Sequence, residues 1–163
     1  MACAMIPLSG LAMADSPKVQ TLDAALLWLD RLQSAQRIHS TNGWTLNAVF
    51  EHLAQSIEMS IEGYPAPKSP LFQATAGTAA FTFFKMRGRM QHGLAEPIPG
   101  APALLQADAW QPGARRLRSA IVRFQKHTGV LKPHFAYGAL SHADFALAHT
   151  MHIANHQDEI VTV

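Results

Sequence analysis

Three histidines near the C-terminus, His149, His152 and His156, stand in the segment AHTMHIANHQ at spacings of three and four residues. An α-helix turns about 100° per residue, which gathers Phe145, His149, His152 and His156 within about 60° of arc, with Ile160 close by. That arc is the stripe an amphipathic helix buries, and imidazoles occupy places where leucines are expected. A buried imidazole without a partner costs on the order of 1–3 kcal/mol. Three on one stripe need a shared partner, and a bound cation is one. His152 and His156 have the i, i+4 spacing by which the two histidines of an HExxH helix converge on zinc. His149 and His152, at i, i+3, can converge as well. The remaining ligand should come from a different helix.

His52 is the candidate for that ligand. It lies in the segment WTLNAVFEHLAQSIEMSIEG, on the flank of an apolar stripe, where a residue faces a neighbouring helix. A lone histidine there is more often a partly exposed, hydrogen-bonded one. The other histidines carry less signal. His39, His92 and His127 fall in loop or helix-end contexts and read as surface residues, and His142 belongs to a capping turn. His134, in PHFAYG, suits the mouth of a site or the packing of a loop equally well. The methionines read as core filler, although Met151 beside the histidines leaves haem or copper ligation as a minor alternative.

Helices must position these residues. Residues 19–35 repeat apolar side chains at three- and four-residue steps (Leu22, Ala25, Leu26, Leu29, Leu32). A turn, HSTNG, follows at 39–43. Residues 44–63 form the clearest amphipathic helix, with Leu46, Val49, Phe50, Leu53, Ile57 and Ile61 on one face. Glu51, Gln55, Glu58 and Glu62 lie on the other, and Gly63 is the stop. After the proline-rich YPAPKSP, Ser69-Pro70 opens a helix over 71–90, loosened by Gly77. A proline- and glycine-rich stretch covers 91–108. A basic helix covers 109–127, its arginines read as a solvated face rather than an anion site. After a loop at 128–140, Ser141 and Asp144 have capping-box spacing at the head of a helix over about 142–160. No useful strand pattern and no repeat appears. The expectation is an all-α, antiparallel helical bundle.

Composition fits one such domain, over residues 15–163. Of 163 residues, 48% are hydrophobic and 15% charged, and net charge is +2. That excludes disorder and gives no nucleic-acid footprint. The single cysteine, Cys3, excludes a disulfide framework or a cysteine zinc cluster within one chain. The uncharged stretch 1–14, MACAMIPLSGLAMA, ends on a small-x-small step. It reads as the remnant of a signal peptide, which implies export to the periplasm, or as an apolar arm on a cytoplasmic bundle. No run reaches the ~20 apolar residues of a membrane span.

Two segments resemble the DinB-like (YfiT-like) four-helix-bundle superfamily. Trp44-Thr-Leu-Asn-Ala-Val-Phe-Glu-His52-Leu is similar to its tryptophan-to-histidine helix, and His152-Ile-Ala-Asn-His156-Gln-Asp-Glu-Ile160 to its HxxxH ending. The lead-in GALSHADFALAHTMH is similar to a domain-of-unknown-function branch of that superfamily. The resemblance covers most of the chain after residue 18. It implies an up-down-down-up bundle, here with an extra irregular segment. It also implies a three-histidine site for a divalent ion, with zinc or nickel first, and kinship with metal-dependent thiol transferases and isomerases. Carried over, the ligands are His52, His152 and His156. His149 is an addition to the pattern, either an alternative ligand or a base. Gln157 stands where the family often has arginine, so an anion contact there is not carried over.

Three protein ligands leave a coordination position open, and a thiol or water there loses its proton more easily. The expected function is a metal-dependent thiol S-transferase or hydrolase acting on a small molecule. The rival readings are a metal-binding stress protein without turnover and a structural bundle with a vestigial site. A homodimer is a compatible assembly. No nucleophilic serine motif, phosphate loop or dinucleotide fingerprint narrows the substrate.

Overall fold

The computed structural model describes residues 18–35 and 37–162. Both readings of residues 1–14, and Cys3 with them, lie outside that span. The described chain is mostly helical. Helix α1 is Leu22–Gln33, α2 is Leu46–Glu62, α3 covers residues 70–87, α4 is Gln111–Lys126 and α5 is His142–His156. Two short strands, β1 (Ile38–Ser40) and β2 (Ile160–Thr162), pair antiparallel with His39 opposite Val161. Among the described residues no helix is long and apolar enough to cross a membrane.

Local chemistry sets the helix starts. Thr21, Thr45, Ser69 and Ser141 each accept a backbone N–H three residues ahead, satisfying a donor that the first turn leaves unpaired. Ser141 also donates to Asp144, as the capping-box spacing predicts. Helix α2 ends at Gly63, whose φ of 114° a side chain would resist.

Helices α1, α2, α4 and α5 share one core, in which Leu29, Phe50, Leu53, Ile57, Leu117, Ile121, Phe124, Phe145 and Ile153 are essentially inaccessible. Helix α2 runs through its middle. Its crossing with α4 is close because Gly113 has no side chain: a Cβ there would lie 2.6 Å from the Asn47 carbonyl oxygen. Helix α3 joins through a smaller cluster of Phe81, Met90, Ala148 and Met151. Met151 is therefore packed as filler.

The polar face of α2 is covered in part, with Gln55 buried and Glu62 left exposed. Gln55 donates to the Pro102 carbonyl (3.0 Å), Glu51 accepts from the Leu105 amide (3.1 Å), and the 91–108 stretch is thereby strapped across the helix. The basic face of α4 is solvated as expected, and three of its arginines make surface ion pairs: Arg116 grips Glu58 through two nitrogens, Arg123 meets Glu62 and Arg118 meets Asp30. Finally, the last helix stops at His156 instead of continuing to 160. Gln157–Glu159 tighten into a 3₁₀ turn and the β-branched Ile160 and Val161 extend into β2.

Candidate metal centre

Helix α2 brings His52, and helix α5 brings His152 and His156, to one buried spot. One ring nitrogen from each of the three lies within 4.8 Å of the other two. His52 Nε2 and His152 Nε2 face each other at 3.1 Å. The ring of His156 is 5.1 Å from that of His52 and 4.9 Å from that of His152. Trp44, half-buried at the head of α2, packs on His52 at 5.1 Å.

Glu159 fixes the tautomer of His156. Its carboxylate accepts the Nδ1–H of His156, and both side chains are fully enclosed. With Nδ1 as the donor, the neutral ring presents a lone pair on Nε2, and among the described residues that atom is buried with no hydrogen-bond partner. Glu159 is itself held in place: Asn42 donates to its carboxylate (3.1 Å), and the Thr41 amide donates to its carbonyl (2.8 Å). The 3₁₀ turn is what folds this carboxylate back beneath the ring.

Electrostatics keep the cluster ready for a cation other than a proton. Burial, then the imidazoles of His156 and His92, push the His52 pKa down to about 3. Burial and the same kind of neighbours hold His152 well below its ordinary value. His52 and His152 are thus kept neutral and the ring of His156 is aimed by a buried carboxylate, the kind of donor set a divalent ion takes. The residues present therefore fit the group that the resemblance implies.

Each candidate histidine has a definite place. His149 is buried one turn before His152, but it is not among the close-set nitrogens. It packs edge-on to Phe124 (5.0 Å) and stacks on Phe145 (5.6 Å), with its Nε2 unpartnered. His134 is buried in its loop and His39 is exposed, while His142 stacks on Phe124 at 4.4 Å. His92 is a correction. Its ring is half-buried and lies 4.8 Å from His152 and 5.5 Å from His156. Burial first of all lowers its pKa. Gln157 accepts from the Val19 amide (2.8 Å), which ties down the chain ahead of α1.

Sequence reasoning missed Glu159 and His92. An acid three residues after the last histidine was a signal for the first. Nothing in the proline-rich stretch signalled the second.

A cavity of about 290 Å³ adjoins the cluster, and His52, His92, His134, His149 and His152 line it. Met90, Ile98, Phe135 and Ala148 give it apolar walls.

No curated protein and no solved structure matches the chain. One family, described as "Protein of unknown function (DUF1569)", matches residues 13–163. That span takes in every helix and the whole histidine cluster, and the chain belongs to this family.

Proposed function

We propose that His52, His152 and His156 hold one divalent metal ion, as the resemblance to the DinB-like superfamily implies. We further propose that the protein uses it as an enzyme of the thiol S-transferase or hydrolase kind. The observation that carries the metal reading is the lone pair on His156 Nε2. It is buried without a donor, and Glu159 fixes its direction by accepting at the opposite nitrogen. A divalent ion on three neutral imidazoles supplies one chemistry above all, acidifying a thiol or water that reaches it.

The chain's own residues do the rest. Glu159 keeps His156 in one tautomer. Trp44 and the strap over α2 exclude water from the His52 side. The apolar cavity walls desolvate a small molecule and hold it beside the cluster. His149 lines that cavity with an unpartnered Nε2, where it can exchange a hydrogen bond or a proton with the occupant. The open cavity wall at His52 and His152 favours an enzyme over a purely structural site, since structural sites are closed.

The test is elemental analysis of protein purified without a histidine tag, followed by assay against a panel of thiols with electrophiles and of hydrolysable esters and amides. About one zinc or nickel per chain with turnover supports the reading. Metal without turnover leaves a metal-binding protein, and a chain that takes up no divalent ion refutes the site.

A further inference from the structure

His134 faces the same cavity from a loop that is tied down at several points. The backbones of His134 and Gly138 form an antiparallel bridge, with N–H to O distances of 2.8 and 3.1 Å, closed by Gly138 at φ 77°. Gln73 donates to the His134 and Phe135 carbonyls (3.4 and 3.2 Å). Gly77 presses on Ala136 so closely that a Cβ would sit 1.9 Å from its carbonyl oxygen. Both anchors belong to the π-helical turn Gln73–Gly77 within α3. Such turns recur at functional sites.

The loop also fixes the ring. His134 Nδ1 accepts from the amides of Ala136 (3.1 Å) and Tyr137 (3.2 Å). An atom that accepts two N–H donors carries no proton, so in the neutral ring the proton is on Nε2. Tyr137 lies flat on the ring at 4.2 Å, and Tyr64 packs at 5.1 Å. Burial pushes the pKa down to about 3, which keeps the ring neutral. Among the described residues Nε2 makes no hydrogen bond. The ring lines the cavity, so this N–H has no protein acceptor and is open to whatever fills the cavity.

We infer that His134 offers Nε2–H as a fixed, uncharged donor to the carbonyl oxygen of a small, otherwise apolar ligand in the cavity beside His52 and His152. An uncharged acceptor suits the site. The donor is neutral, the walls are apolar, and the two charged residues that line the cavity, Lys68 and Glu96, have opposite signs. In the metal-free chain a carboxylate would lose its hydration without a net positive partner. The inference rests on the metal reading for the chemistry at the ligand's other end, but the donor itself can be tested without metal.

The experiment uses the full chain, ¹⁵N-labelled and metal-free. A long-range ¹⁵N–¹H correlation spectrum should show His134 with its proton on Nε2. Butyramide should then shift that resonance saturably, butyrate should bind more weakly, and butylamine, which when protonated has no acceptor, should leave it unmoved. In His134→Asn the side-chain oxygen can still accept from the Ala136 and Tyr137 amides, but the far N–H is gone. Butyramide affinity should fall roughly 5- to 10-fold there, and His134→Gln, whose amide N–H reaches further, should recover part of it.

A proton on Nδ1, no response to butyramide, or equal binding of amide and amine would each overturn the inference. Preference for butyrate would overturn the uncharged class. If His134→Asn fails to fold, the tautomer and the amide–amine comparison on the unaltered chain still decide. Calorimetry with zinc on the same sample separates the two claims. A butyramide response without zinc uptake defeats the metal reading alone, and zinc uptake without a butyramide response defeats this one alone.

Discussion

His156 and Glu159 are bonded ring to carboxylate across a single tight turn, with no water contact on either side chain. A carboxylate behind a ligand histidine raises its basicity and fixes its aim. Glu159→Gln keeps an acceptor for Nδ1–H but removes the charge. Zinc affinity should fall about 10- to 100-fold, read by competition with a chromogenic chelator. Unchanged affinity would remove Glu159 from the site.

The ligand set separates from its neighbour by substitution. His152 is the central member, close to both His52 and His156. His52→Ala, His152→Ala and His156→Ala should each abolish tight zinc binding in calorimetric titration. His149→Ala should retain the metal with at most a modest drop in affinity, and lose reactivity where turnover is measurable. Metal kept by His156→Ala and lost by His149→Ala would reverse their roles. Equal loss in both would indicate four histidine ligands and a closed site.

Stability of the metal-free protein should depend on acid in a defined direction. Burial, with smaller contributions from neighbouring histidines at His149, holds His134 and His149 at about 3 when folded, against 6.5 as the ordinary value. The unfolded chain therefore binds protons that the folded one refuses. The stability held by their neutrality is complete above pH 6.5 and drains as pH falls from there toward 3. Each such histidine contributes a slope of about 1.4 kcal/mol per pH unit in that window. Urea unfolding at pH 7, 6 and 5 measures it, and His149→Leu should flatten the curve by about one histidine's worth. A pH-independent midpoint would show that these rings gain protons in the folded state.

Gly77→Ala tests the seam between α3 and the His134 loop. The new methyl meets backbone, not a flexible side-chain end, so the loop or the π turn must move. The expected loss is about 1–3 kcal/mol in denaturant unfolding, with a shifted His134 ring resonance. A variant as stable as the parent, with that resonance unchanged, would show that the seam gives way without strain.

Much of the helical frame was legible because its signals are local. The Gly63 stop and the Ser141–Asp144 box fall where spacing alone puts them. His152 and His156 converge because one helix holds both, and their i, i+4 step is visible in any sequence. What stayed hidden depends on partners distant in the chain. Gln55 reads only as part of a polar face, and its burial under the Pro102 strap is not visible in the sequence. Three arginines of α4 meet acids of α1 and α2 only in the fold, on a face that stays solvated as its charges suggest. His92 sits in a segment with no period at all, and only tertiary packing brings it to His152. The end of α5 was overrun because helical spacing carries on through Ile160, while the 3₁₀ turn answers to Glu159 meeting His156 and to β1.

The contact between His52 and His152 spans 100 residues of sequence, and Glu159 completes the support of His156 from still further on. During synthesis His52 emerges long before its partners, on a helix whose later neighbours α4 and α5 do not yet exist. No fragment ending before residue 159 contains the whole constellation. On the proposed metal reading, capture is therefore a late event, open only once α5 has docked against α2, and the half-made chain offers passing ions no more than a scattered imidazole.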